Sequence, residues 1–131
     1  MTDYYLPIIW PDHQIQIPHT SWRLPLGHAG VVIIDGSTGA IRYADFGRYF
    51  GEQGGAVRYY EVNATVDQTQ SLVSADNLAQ ILGAVGQYGS HRLITSVFNV
   101  PDGSFETAHA WIETALNEGT FGVTTHPTAT V

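Results

Sequence analysis

Apolar positions fall into short bursts separated by glycine, proline and small polar residues. The sharpest burst is His28-Ala-Gly-Val-Val-Ile-Ile34, followed by Asp35-Gly-Ser-Thr-Gly39 and a second apolar stretch from Ala40 to Phe46. β-branched runs on either side of a turn-forming cluster predict a β-hairpin whose first strand is central and largely buried. Gly47 to Gly55 carries four glycines and reads as a loop, and Ala56 to Val62 alternates well enough for a third strand. The run from Tyr4 to Trp10, and Ile15 and Ile17 alternating with glutamines, lie among Pro7, Pro11, Pro18 and Pro25. Proline donates no ladder hydrogen bond, so this segment is expected as short edge strands or extended loop.

A longer period takes over further on. Ser74 is placed to cap a helix carrying Leu78, Ile81, Leu82 and Val85, with Gly86 and Gly89 ending it. His91 to Val100 reads as another strand, and Pro101-Asp-Gly103 turns the chain. Ser104 then opens a second helix with Phe105, Ala108, Trp111, Ile112, Ala115 and Leu116 on one stripe, and Gly119 is a natural stop. Residues 120–131 are threonine-rich and have room for one short strand. The order predicts an α+β fold, a meandering antiparallel sheet covered by two helices, in a single domain over residues 1–131.

Composition narrows the possible functions. Hydrophobic residues make up 44% of the 131 and charged residues 13%, enough for a real core and unlike a disordered tail. The formal charge is −7, and all five basic residues are arginines (Arg23, Arg42, Arg48, Arg58, Arg92), scattered along the chain. A surface that tracks phosphates needs clustered cations, so neither a nucleic acid nor an anionic membrane is an expected partner. No stretch is long enough for a membrane span, and the first residues lack the pattern of a signal peptide. The 131 residues contain no cysteine, hence no disulfide, thiolate metal site or cysteine nucleophile.

His28 is the strongest candidate for chemistry. It opens the most apolar strand after Gly27 and before Ala29-Gly30, and small neighbours leave an imidazole accessible to act as a general base. The alternative is a strand-end histidine bonded to a loop carbonyl. Asp45 on the return strand would orient the ring if the two share a face, which depends on register. A four-residue loop over Asp35 to Thr38 puts His28 opposite Asp45. If Gly39 joins the loop, His28 pairs with Phe46 and Asp45 turns away, to stand as an exposed strand-end charge. Tyr43 is the second polar partner on the Asp45 face. The remaining histidines (His13, His19, His91, His109, His126) show no zinc-binding spacing, so no metal or other cofactor is expected, and His109 reads as a surface residue. Trp22, Tyr49, Phe50, Tyr59 and Tyr60 add aromatic surface near the hairpin, as core or as the wall of a groove.

The stretch Leu26-Gly-His-Ala-Gly-Val-Val-Ile-Ile-Asp-Gly-Ser-Thr-Gly-Ala-Ile-Arg-Tyr-Ala-Asp-Phe-Gly-Arg-Tyr49 resembles the histidine-bearing hairpin of circularly permuted papain-like hydrolases. That group includes NlpC-type peptidoglycan amidases, lecithin:retinol acyltransferase-like enzymes and amidase effectors delivered by bacterial type VI secretion. The likeness is clearest over residues 26–60. It implies that His28 is the catalytic base, that Asp45 is the third member, and that a nucleophilic cysteine follows on a later helix, commonly in an Asn-Cys setting. The sequence departs from the family there, since it has no cysteine. Three accounts compete: a chain truncated before its cysteine-bearing helix, a non-catalytic relative, or replacement by a hydroxyl such as Thr124 or Thr125, a poorer nucleophile.

The resemblance therefore implies a cysteine-type amidase acting on peptidoglycan peptides. It would be an antibacterial effector made in the cytoplasm without a signal peptide and exported to a target cell's periplasm, with an immunity or inhibitor protein as partner. A binding or adaptor module of the same fold, or a lipid acyltransferase or phospholipase relative, are the rival readings. A missing C-terminal helix would leave an apolar patch through which two copies could form a homodimer.

Overall fold

The computed structural model describes residues 1–12, 14–16, 21, 23–24, 27–47, 56–97 and 100–118. In chain order the strands are β1 (Tyr4–Trp10), β2 (Ile15–Gln16), β3 (Arg23–Leu24), β4 (His28–Ile34), β5 (Ile41–Gly47) and β6 (Ala56–Glu61). Helix α1 (Ala75–Val85) follows and runs into a 3-10 turn (Gly86–Gly89). Then come β7 (Ser96–Val97), β8 (Val100–Pro101) and α2 (Phe105–Glu118). One antiparallel sheet has the order β6-β5-β4-β1, with β7 and β8 both pairing with the far side of β1, while β2 and β3 form a separate small pair. This is the α+β architecture expected from the sequence.

The first segment corrects the sequence reading. Tyr4–Trp10 is an inner strand rather than an edge or a loop, paired along its full length with β4 from Tyr4↔Ile34 to Trp10↔His28. Pro7 lies inside this strand, opposite Val31 of β4. The expected strand over His91 to Val100 is also shorter. Ser90 and His91 take left-handed backbone (φ 57° and 55°), and described pairing begins only at Ser96.

Alternation sorts the sheet into two faces, each covered by one helix. Tyr4, Leu6, Ile8, Trp10, Val32, Ile34, Ile41 and Tyr43 face α1, which contributes the fully buried Ile81 and Val85. Burying each of those side chains stabilises by about 1.5–3 kcal/mol. Ser74 caps α1 by accepting from the Asn77 amide at 3.1 Å, as its position predicted. On the other face Ile33, Ala44 and Val57 pack against Ile112 and Ala115 of α2. Asp3 ties this layer to the hairpin: its carboxylate accepts from the Phe105 amide at the start of α2 (2.7 Å) and from the Gly36 amide (2.8 Å). Anionic acceptors are favourable at a helix N-terminus. The expected stop at Gly119 and the strand in residues 120–131 lie outside the described residues.

The 3-10 turn packs Gly89 flat against Trp10, and a Cβ there would overlap the indole ring. Gly89→Ala is therefore expected to cost about 1–3 kcal/mol, read as a lower urea midpoint with an unchanged slope.

Candidate functional site

Three neighbouring strands bring the site together on the α1 face. Neither register weighed from the sequence is the one found. Asp35 to Ala40 form a longer turn, closed by the Asp35 amide donating to the Ala40 carbonyl at 2.9 Å, so that Ile34 pairs with Ile41 and Gly30 with Asp45. The turn is longer because the Asp35 side chain accepts from the Ser37 amide and hydroxyl and from the Thr38 amide, a local cap that holds its carboxyl below the usual range. Relative to the four-residue loop the strands shift by two positions, and a shift of two preserves the face. His28 and Asp45 thus meet diagonally rather than squarely, with Asp45 Oδ2 2.7 Å from His28 Nε2.

Asp45 is the centre of the cluster, and its side chain is fully buried. Arg58, its cross-strand partner on β6, grips it with two prongs, Nε to Oδ1 at 2.8 Å and Nη2 to Oδ2 at 2.6 Å. The Tyr43 hydroxyl donates to Oδ2 as well and lies 3.5 Å from His28 Nε2. A carboxylate held in a guanidinium fork only accepts, so the imidazole donates to it from Nε2. Tyr43 matches its expected place as second partner. Arg58 was not anticipated from the sequence, because nothing in the glycine-rich stretch before β6 fixes that strand's register from sequence.

Aromatic rings fix this polar group in place. Trp10 stands directly across from His28 on β1 and stacks on it, with centroids 5.4 Å apart and planes 21° apart. Tyr88 from the 3-10 turn is sandwiched between Tyr43 and Tyr60, at 4.6 and 5.0 Å. The Arg58 guanidinium lies over the Tyr88 ring and donates from Nη2 to its carbonyl at 3.1 Å. Gly30, between His28 and Val32, is what lets the Tyr43 ring lie across β4, since a Cβ there would overlap the phenol. His28 itself keeps a narrow exposed edge, facing a shallow depression lined by Ile9, Pro11, Gly27 and Ala29.

A larger apolar cleft of about 570 Å³ lies between α2 and the sheet. Val31, Ile33, Ala44 and Val57, which line it from the strands, point away from the face that carries His28, and Gly30 and Asp45 border it from the strands as well. Trp111, placed on the buried stripe by spacing, is instead 59% exposed at its margin. His109 is more than a surface residue: the Tyr59 hydroxyl lies 2.6 Å from its Nδ1, Phe105 stacks on it, and Glu113 is 3.7 Å from Nε2. His91 is exposed beside the 3-10 turn, its amide donating to the Gly86 carbonyl at 2.9 Å. His13, His19, His126, Trp22, Tyr49, Phe50, Thr124 and Thr125 lie outside the described residues. Among the described residues no group of three or more His, Asp or Glu side chains is placed to hold a metal ion. No helix there is long and apolar enough to cross a membrane.

Comparison with known proteins places this architecture. Residues 5–127 match the model of a family described as type VI secretion system effector TseH-like. The crystal structure of the type VI secretion system effector TseH superposes with a TM-score of 0.72 at 30% sequence identity, over 88% of this chain. The chain spans 61% of that structure's length. No curated protein matches in sequence.

Two outcomes are expected of the cluster. Asp45→Asn removes the carboxylate that both prongs of Arg58 engage and should cost about 3–5 kcal/mol. The double variant D45N/R58M should cost less than the single one, and chemical denaturation of the set checks both. Burial, then the neighbouring Tyr60 hydroxyl and the Asp45 carboxylate, raise Tyr88 above its ordinary 10.0 against the pull of Arg58. The unfolded chain then loses this proton first, so stability should be intact below pH 10 and fall as pH rises beyond it. A shallower alkaline slope in Tyr88→Phe would show it.

Proposed function

Because the chain belongs to the TseH-like family of type VI secretion system effectors, we propose that it is an antibacterial effector built on a permuted papain-like scaffold, with His28 as general base and Asp45 as its orienting carboxylate. The target is an amide bond in peptidoglycan peptides. One observation carries the reading: a strand-end imidazole with an exposed edge, bonded through Nε2 to a buried carboxylate at 2.7 Å. Supporting a role in proton transfer, the carboxylate is placed to orient the ring and to stabilise its imidazolium form.

The chemistry follows from the tautomer. With its proton on Nε2, the ring takes a thiol proton at Nδ1; the thiolate attacks the amide carbonyl and the imidazolium returns the proton to the leaving amine. Water then repeats the sequence on the thioester, releasing the acid and the thiol. Asp45 stabilises the imidazolium in both halves. The thiol is a cysteine, which these 131 residues do not contain, so the reading assigns it to adjoining polypeptide. An immunity protein in the producing cell is the partner such an effector calls for.

A binding module is the second reading, favoured by the cysteine-free sequence. It would use the depression beside His28 to hold a peptide without cleaving it.

The experiment is periplasmic expression in a susceptible bacterium, with muropeptides analysed by mass spectrometry. Two proteins are compared: the 131-residue chain, and the chain extended through the adjoining genomic sequence to its cysteine. New amino termini should appear with the extended protein and vanish with His28→Ala. Cleavage by the 131 residues alone, unchanged by His28→Ala, would overturn the assignment. An adjoining sequence without cysteine, together with saturable muropeptide binding by the 131 residues, would establish the binding module in its place.

A further inference from the structure

We propose that Arg58 is a positioning residue of this site: its guanidinium fork fixes the Asp45 carboxylate so that His28 keeps its proton on Nε2 and presents Nδ1 as the proton acceptor. The inference deepens the His28–Asp45 reading and rests on it.

Three donors converge on one carboxylate oxygen. Asp45 Oδ2 receives the Tyr43 hydroxyl, Arg58 Nη2 and His28 Nε2, while Oδ1 receives Arg58 Nε. A carboxylate on a single short side chain turns easily about its last bond, and either oxygen would serve Tyr43 or the imidazole. Two parallel bonds from a rigid planar fork remove that freedom, because they define the carboxylate plane as well as its position. Among the described residues Arg58 is the group that bonds both oxygens, so it constrains the orientation that His28 meets.

Arg58 is itself held from two sides. Its backbone pairs with that of Asp45 across β5 and β6. Its head is anchored on the Tyr88 carbonyl at 3.1 Å and covered by the Tyr88 ring, with Cζ 5.4 Å from the centroid. Tyr88 belongs to the 3-10 turn that extends α1. The arrangement of the imidazole is thereby tied, through Asp45 and Arg58, to the end of the helix that covers this face. A Lys at position 58 would keep the charge and lose the fork.

The test needs no catalytic turnover. The chain is labelled with 15N-histidine, the His28 signals are assigned by their loss in His28→Gln, and the ratio of Nε2–H to Nδ1–H is read at an alkaline pH where the ring is neutral. A ring in its native bond should hold the Nε2–H form almost completely, and the ratio should fall by about threefold or more in R58Q. R58K should fall in the same direction, and it carries the test if R58Q does not fold by circular dichroism. An unchanged ratio in a folded R58K or R58Q overturns the proposal. Asp45→Asn separates this failure from that of the parent reading. A ratio that moves in D45N but not in the Arg58 variants sinks the Arg58 proposal alone, whereas a ratio unmoved by D45N sinks the His28–Asp45 pairing with it.

Discussion

A carboxylate sealed inside a protein is tolerable only where donors surround it, and Asp45 sets that condition for half of this fold. Its donors come from three strands: His28 from β4, Tyr43 from β5 and Arg58 from β6. Slipping either strand pair by one residue would turn Asp45, or the groups that answer it, to the opposite face. The carboxylate would then sit among the apolar side chains that meet α2, at a cost of several kcal/mol. Hydrophobic burial favours a layered sheet in general, and this one polar cluster selects the register within it.

The same logic explains what could be read in advance. His28 and Asp45 were legible because a β-branched strand, a turn cluster and a return strand announce a hairpin, and a histidine beside glycines at its end is conspicuous. Their mutual placement was not, since it hangs on the length of the turn, and the Asp35 side chain draws Ser37 and Thr38 into a longer turn than either count allowed. Parity survived because the difference was two residues. Arg58 could not be aligned with Asp45 across a glycine-rich stretch of sequence, and Tyr88 arrives from a turn with no pairing pattern at all.

Other departures have equally local causes. Prolines point Tyr4–Trp10 to the edge of the sheet, yet β4 pairs with one side of this strand and β7 and β8 with the other. The run after His91 has strand-forming residues but begins in left-handed backbone, which delays its entry into the sheet. Both helices were visible from their spacing and caps. Trp111 keeps the helical period and still lies open, because a period identifies a side of the helix and says nothing about how far the sheet extends beneath it.

Gly30 links the chemistry of the site to its ancestry. The phenol of Tyr43 crosses the backbone at Gly30, where no side chain blocks it. A lineage that acquires even a methyl group at position 30 must surrender that ring and, with it, one of the donors on Asp45. The two positions should therefore drift together when sequences of this family are compared. A glycine that composition alone would assign to loosening a strand instead makes room for a ring.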